Sequence, residues 1–332
     1  MSRNLRLKRK YDKADYGRSA YRVTLFLPSG RYPRGTFCSP TGLFHADSEV
    51  VFAVTFGPPW RVVGEDLPYS EVDWLLPDVV RLLGSLMLTE RFTDRRCGFY
   101  PLPYSGFILD EIAVELTKPE TALAVKSALF RTVNNRLWAK PHVRGIWQQC
   151  LGHTYFLFDP HELEIDQYQR HWNHIDAKNY VLMRALQSLI KADMLAVHHE
   201  FTEEASIACF IALDASFELV RRHLKASGNT DPSAKDAGDW LFKVFDEPMG
   251  VGNGDMKYFE EFYTQRVRTI HPGSRFGDTP FAAVAYDDYI HLRQALPQIL
   301  SYLVLGTHTP RFAKEVAESE RKWKTPAPDH CS

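Results

Sequence analysis

Residues 202–226 read TEEASIACFIALDASFELVRRHLKA, and their spacing decides the class of the C-terminal half. Ile207, Phe210, Ile211, Phe217, Val220 and Leu224 make one broad apolar stripe, the pattern of a helix with a single buried side. The opening Thr202-Glu203-Glu204 suits a helix start, with Thr202 read as the cap and two acidic residues in the first turn. Upstream, 176–199 repeats the pattern with Val181, Leu182, Leu186, Leu189, Ile190 and Leu195 on one side. Downstream, 226–233 reads as a loop, 236–247 as a shorter helix ended by Pro248, and 254–270 as a helix facing Met256, Phe259, Phe262 and Tyr263 inward. A loop over 272–284 and a last helix over 285–306, with Pro297 expected to kink it, complete an all-α bundle.

Working outward, 21–165 has a different texture. Tyr21–Leu27, Glu49–Phe56, Phe107–Leu116 and His153–Phe158 are β-branched and aromatic runs that read as strands. Helical spacing is expected over 70–92, where Pro77 is a candidate break, and over 119–137, where Pro119 suits a first turn. The fold class is therefore α+β: a mixed α/β domain over 19–165, then the helical bundle over 166–310. They are flanked by a basic arm at 1–18 and a charged tail at 311–332. The arm holds seven Lys or Arg against two Asp, the make-up of a solvated segment or an auxiliary phosphate-contacting tail.

Composition bounds the function. With a formal net charge of -1, the chain as a whole is no polycation, so contact with nucleic acid must rest on a local patch. Five widely spaced cysteines fit no zinc knuckle or disulfide framework and read as reduced thiols, pointing to a cytoplasmic protein. No window is long and apolar enough for a membrane span, and no secretory signal opens the chain.

One segment carries chemistry: Phe262-Tyr-Thr-Gln-Arg266-Val-Arg-Thr-Ile-His271-Pro-Gly. Five positions separate Arg266 from His271, about 140° on a regular helix, so a continuous helix would not bring them together. Pro272 disfavours helical geometry at His271, which frees the imidazole to swing back toward Arg266 at the helix end. An imidazole titrates near neutral pH and a guanidinium offers a planar fork, as proton transfer and phosphate binding require.

An aromatic-rich helix ending in Tyr-x-x-Arg-x4-His, preceded by helices and a loop, resembles the HEPN superfamily, most closely its ApeA-like type. The resemblance covers about 130 residues and implies a HEPN-like bundle whose motif meets its copy across a homodimer. It further implies a composite site that cuts RNA without metal or cofactor, as in bacterial defence or toxin–antitoxin systems. Carried over, His271 is the general acid or base and Arg266 holds the scissile phosphate. Arg268 is an RNA-backbone contact, with Asp214 or Glu218 as a supporting polar residue from the 202–226 helix. By analogy the first half is a sensor or targeting part, taking a protein or small-molecule trigger. Val267 stands where the family has a small polar residue, and Pro272 where it has Gly. A non-catalytic HEPN-like dimerisation or binding module therefore stays open beside the endoribonuclease.

Other signals are set aside. Gly250–Gly254 lacks a preceding strand and the Lys-Ser/Thr of a phosphate loop, so it reads as a connector. His171, His174, His198 and His199 lack metal-site spacing and are expected on helix surfaces. Trp60, Trp74, Trp138 and Trp147, with Trp172 beyond them, are expected mostly in the core.

Overall fold

The computed structural model describes residues 7–9, 20–30, 32–57, 77–89, 97–109, 114–134, 158–251, 259, 261–264, 266 and 286–324. Seven strands form one sheet: β1 (Leu7–Arg9), β2 (Ala20–Gly30), β3 (Tyr32–Cys38), β4 (Gly42–Ala46), β5 (Val51–Gly57), β6 (Cys97–Leu109) and β7 (Phe158–Glu162). Their order is β1-β6-β2-β5-β4-β3-β7. Every pair is antiparallel except β3 with β7 at one edge. Alternation along the strands gives the sheet two apolar faces. Val23, Leu25, Leu43, Phe52 and Val54 pack on Ala122, Val125 and Leu129 of α2 (Pro119–Asn134). Phe26, Phe37, Phe44 and Ala53 point the other way, into the larger core.

The strands at β2 and β5 lie where alternation places them. The strand expected over Phe107–Leu116 shares its first three residues with β6, whose Pro101, Pro103 and Gly106 break the β-branched signal, and its residues 110–113 lie outside the described residues. Beyond it, Val114 and Glu115 are outside any strand and Leu116–Thr117 form a turn. Of the strand expected over His153–Phe158, residues 153–157 lie outside the described residues and Phe158 belongs to β7, which tolerates Pro160 because it lies on the sheet edge. Strands β3 and β4 carry no periodic signal, since Pro33, Gly35 and Gly42 interrupt them.

The helices are α1 (Pro77–Met87), α2, α3 (Ile165–His174), α4 (Tyr180–Leu195), α5 (Thr202–Ala226), α6 (Ala234–Leu241), α7 (Tyr286–Leu305) and α8 (Pro310–Lys324). Of the helix expected over 70–92, residues 70–76 and 90–92 lie outside the described residues, and Pro77 is the first described residue of α1. Asn179 caps α4 by accepting from the Leu182 amide. The cap position of α5 is Phe201, which offers no side-chain acceptor; Thr202 is the first helical residue, not the cap. Helix α6 starts two residues before the expected Asp236, which instead closes a reciprocal capping box with Ser233. Gly250 has φ 88, the left-handed geometry that ends this segment, in keeping with a connector. Pro297 sits inside α7. Of the stretch expected as a charged tail, the first part is α8, which buries Phe312 and donates a hydrogen bond from Ser319 Oγ to Met249 O at 2.8 Å. No helix among the described residues is long and apolar enough to cross a membrane.

The main core runs across residue 165 without interruption. Phe37 of β3 stacks on Tyr168 of α3 at 4.1 Å between ring centroids, and Tyr168 donates to Leu82 O of α1 at 2.8 Å. Gly84 of α1 lies against Leu186 of α4 so closely that a Cβ there would sit 2.7 Å from Leu186 Cδ1. The sheet, α1, α3, α4, α5 and α7 thus contribute to one apolar body.

Candidate functional site

Helix α5 buries Leu213, Phe217 and Val220 against its neighbours and turns Asp214 and Glu218 to its outer side, one turn apart. Residues 259, 261–264 and 266 are helical, and Phe259 and Phe262 enter the core as the spacing predicts. The same periodicity puts Tyr263 and Arg266 on one face. The Tyr263 ring lies 4.4 Å from that of Phe217 on α5, and the Arg266 guanidinium stands over Tyr263 at 4.6 Å. Phe217, Tyr263 and Arg266 therefore form a stack that projects from the core toward the outer side of α5.

Arg266 Nη1 meets Asp214 Oδ1 at 3.3 Å. The Arg266 side chain is 17% exposed and that of Asp214 52%. Arg266 Nε is shielded from solvent and has no hydrogen-bond acceptor, an uncommon state for a buried donor. Two of the five candidate residues are thereby brought together, although they are 52 positions apart in the chain, from 214 to 266. Glu218 is not part of the pair; it meets Arg221 and Arg222 of its own helix at 3.2 and 3.0 Å. His271 and Arg268 lie outside the described residues, as do Val267, Pro272, Trp60, Trp74, Trp138 and Trp147. Tyr263, expected to face inward, is half-buried, packs against the core and serves as the platform under Arg266.

Two other polar groups have structural explanations. His171, expected on a helix surface, is buried, because α3 packs between the sheet and α7. Its Nδ1 lies 2.9 Å from Gln167 O and its Nε2 2.9 Å from Ser301 Oγ. Burial pushes its pKa down to about 4, so near neutral pH the ring donates from Nδ1 and accepts from the Ser301 hydroxyl. On the opposite face of the sheet, His45 bridges Thr36 Oγ1 at 2.8 Å and Asp47 Oδ2 at 3.2 Å. Asp47 Oδ2 also accepts from Lys126 of α2 at 2.5 Å. This chain ties α2 to the β4–β5 hairpin.

Among the described residues, no group of three or more His, Cys, Asp or Glu is placed to hold a metal ion. Comparison with protein-family models, with curated proteins and with solved structures found no match for this chain.

Proposed function

We propose that this protein is an endoribonuclease of HEPN type, acting as a homodimer in which Arg266 and His271 of two copies form one composite site. The observation that supports this reading is the setting of Arg266. The guanidinium stands on a Tyr263 platform at the edge of a helical core, partly open to solvent, with one buried donor unused. A planar fork in that setting suits a phosphodiester, whose two free oxygens match its geometry. In the proposed reaction an imidazole takes the proton of the ribose 2′-hydroxyl, and that oxygen attacks phosphorus. The bond from phosphorus to the 5′-oxygen breaks, the leaving oxygen is protonated by the imidazole of the other copy, and a 2′,3′-cyclic phosphate remains. The guanidinium stabilises the charge that builds on the non-bridging oxygens of the phosphate.

Purified protein incubated with total RNA in EDTA tests the reading directly. Cleavage with cyclic-phosphate ends is expected, with a loss of about 10²-fold or more in His271→Ala, the usual size of a general acid–base contribution. Equal cleavage by both chains would assign the activity elsewhere.

One observation favours a second reading, a non-catalytic module that dimerises through the same bundle. Arg266 already faces a carboxylate, so its charge is partly compensated before any RNA arrives. Under that reading neither His271→Ala nor Arg266→Ala changes RNA integrity, and dimerisation measured by sedimentation is unaltered.

A further inference from the structure

Two arginines of the helical half are paired with aspartates in opposite ways. Arg293 of α7 donates from Nε and Nη2 to both oxygens of Asp193 at 2.6 and 2.8 Å, and both side chains are buried. That is a closed fork, whose two-point geometry adds both energy and directional specificity. Arg266 instead approaches Asp214 at one point, through Nη1 at 3.3 Å, while its Nε has no acceptor. Asp214 is half-exposed, so water can solvate the carboxylate if it lets go. The guanidinium is nevertheless held in place, by its stacking on Tyr263 and by Phe217 beneath that ring.

We propose that Asp214 is a displaceable restraint on Arg266. Its carboxylate occupies the anion position of the guanidinium in the empty protein, and an RNA phosphodiester takes that position by displacing it. The inference rests on the reading of Arg266 as a phosphate-contacting residue, and it reverses the part expected of Asp214. Instead of assisting the site, the carboxylate competes with the substrate. The stack keeps the fork aimed while Asp214 yields, and a phosphodiester oxygen gives Nε the acceptor it lacks. A half-exposed ion pair is weak enough for this exchange, whereas a closed fork such as Asp193–Arg293 is not.

The test is binding of a short single-stranded 2′-O-methyl oligoribonucleotide, which lacks the attacking hydroxyl and cannot be cut, by fluorescence anisotropy, to four full-length chains: wild type, Asp214→Asn, Arg266→Ala and the double variant. Asparagine keeps the shape of aspartate, removes its charge and turns one acceptor oxygen into an N–H donor. Asp214→Asn is expected to bind about two- to fivefold more tightly than wild type. This gain should vanish when Arg266→Ala is added. Unchanged, weaker or undetectable binding by Asp214→Asn overturns the proposal. So does a gain that persists in the double variant, since a general loss of negative charge would then explain it. Cleavage, read separately with His271→Ala, distinguishes this failure from failure of the nuclease reading. Tightening without cleavage keeps the restraint and removes the nuclease; cleavage lost in His271→Ala without tightening in Asp214→Asn does the reverse.

Discussion

At the scale of single residues, His171 is the clearest determinant of pH response. Burial against α7, with smaller contributions from Arg170 and His174, outweighs the Gln167 hydrogen bond and takes its pKa from 6.5 to about 4. The folded value lies below the unfolded one, so between these pH values the unfolded chain holds a proton that the folded protein does not. Stability is therefore whole above about pH 6.5 and declines as the pH falls toward 4, by at most about 3 kcal/mol. Urea unfolding midpoints at pH 7.5 and pH 5 should differ clearly in the wild type and much less in His171→Gln. Equal differences in the two chains would mean that other groups set the acid response. Asp47 acts in a lower window. Burial favours its neutral form, but hydrogen bonds from His45, Lys126 and the amides of Glu49 and Val50 outweigh that and hold it well below the usual carboxylate range. Its contribution is present above the unfolded carboxylate pKa and is lost only as pH falls below about 4.

At the scale of elements, α4 and α7 are joined by a polar contact inside an apolar bundle. Asp193 is 0% exposed and Arg293 2%, and Tyr289 donates a further hydrogen bond to Asp193 Oδ1 at 3.0 Å. Breaking such a pair strands a charge in a medium that cannot solvate it, whereas removing both charges does not. Arg293→Met is expected to destabilise the protein by about 3–5 kcal/mol, and the Asp193→Leu/Arg293→Met double variant by clearly less than the sum of the singles. Recovery should remain incomplete, because the double variant leaves the Tyr289 hydroxyl without its carboxylate. Guanidinium titrations of the four chains supply the cycle, and strictly additive losses would show that the two side chains act independently.

At the scale of the whole molecule, the shared core joins the sheet and the bundle into one cooperative body. Far-ultraviolet circular dichroism and tryptophan fluorescence should therefore report a single unfolding transition; two separated transitions would show halves that fold on their own. Gly84 probes the seam between α1 and α4. A helical Gly→Ala change ordinarily gains up to about 1 kcal/mol. Here the added Cβ would meet Leu186 at 2.7 Å from Cδ1 and 3.2 Å from Cβ, so Gly84→Ala is expected to cost about 1–3 kcal/mol instead. A rise in melting temperature would show slack at the seam.

Periodicity in the sequence was enough to place α2, α4, α5 and α7, the strands β2 and β5, and the inward course of Phe259 and Phe262, because these segments carry their burial pattern locally. The same spacing put Asp214 and Glu218 on one side of α5, whereas Arg266 was marked by the resemblance of its motif to the HEPN superfamily. Other features depended on partners distant in the chain. Strands β3, β4 and β6 are interrupted by Pro and Gly, and the sheet neighbours stabilise what local propensity does not. Burial of His171 required α7 to pack over α3, and the docking of α8 required the segment around Met249. Tertiary structure alone chose between the two carboxylates of α5: Glu218 has arginines within reach on its own helix, and Asp214 has none in place until the segment bearing Tyr263 and Arg266 packs across α5.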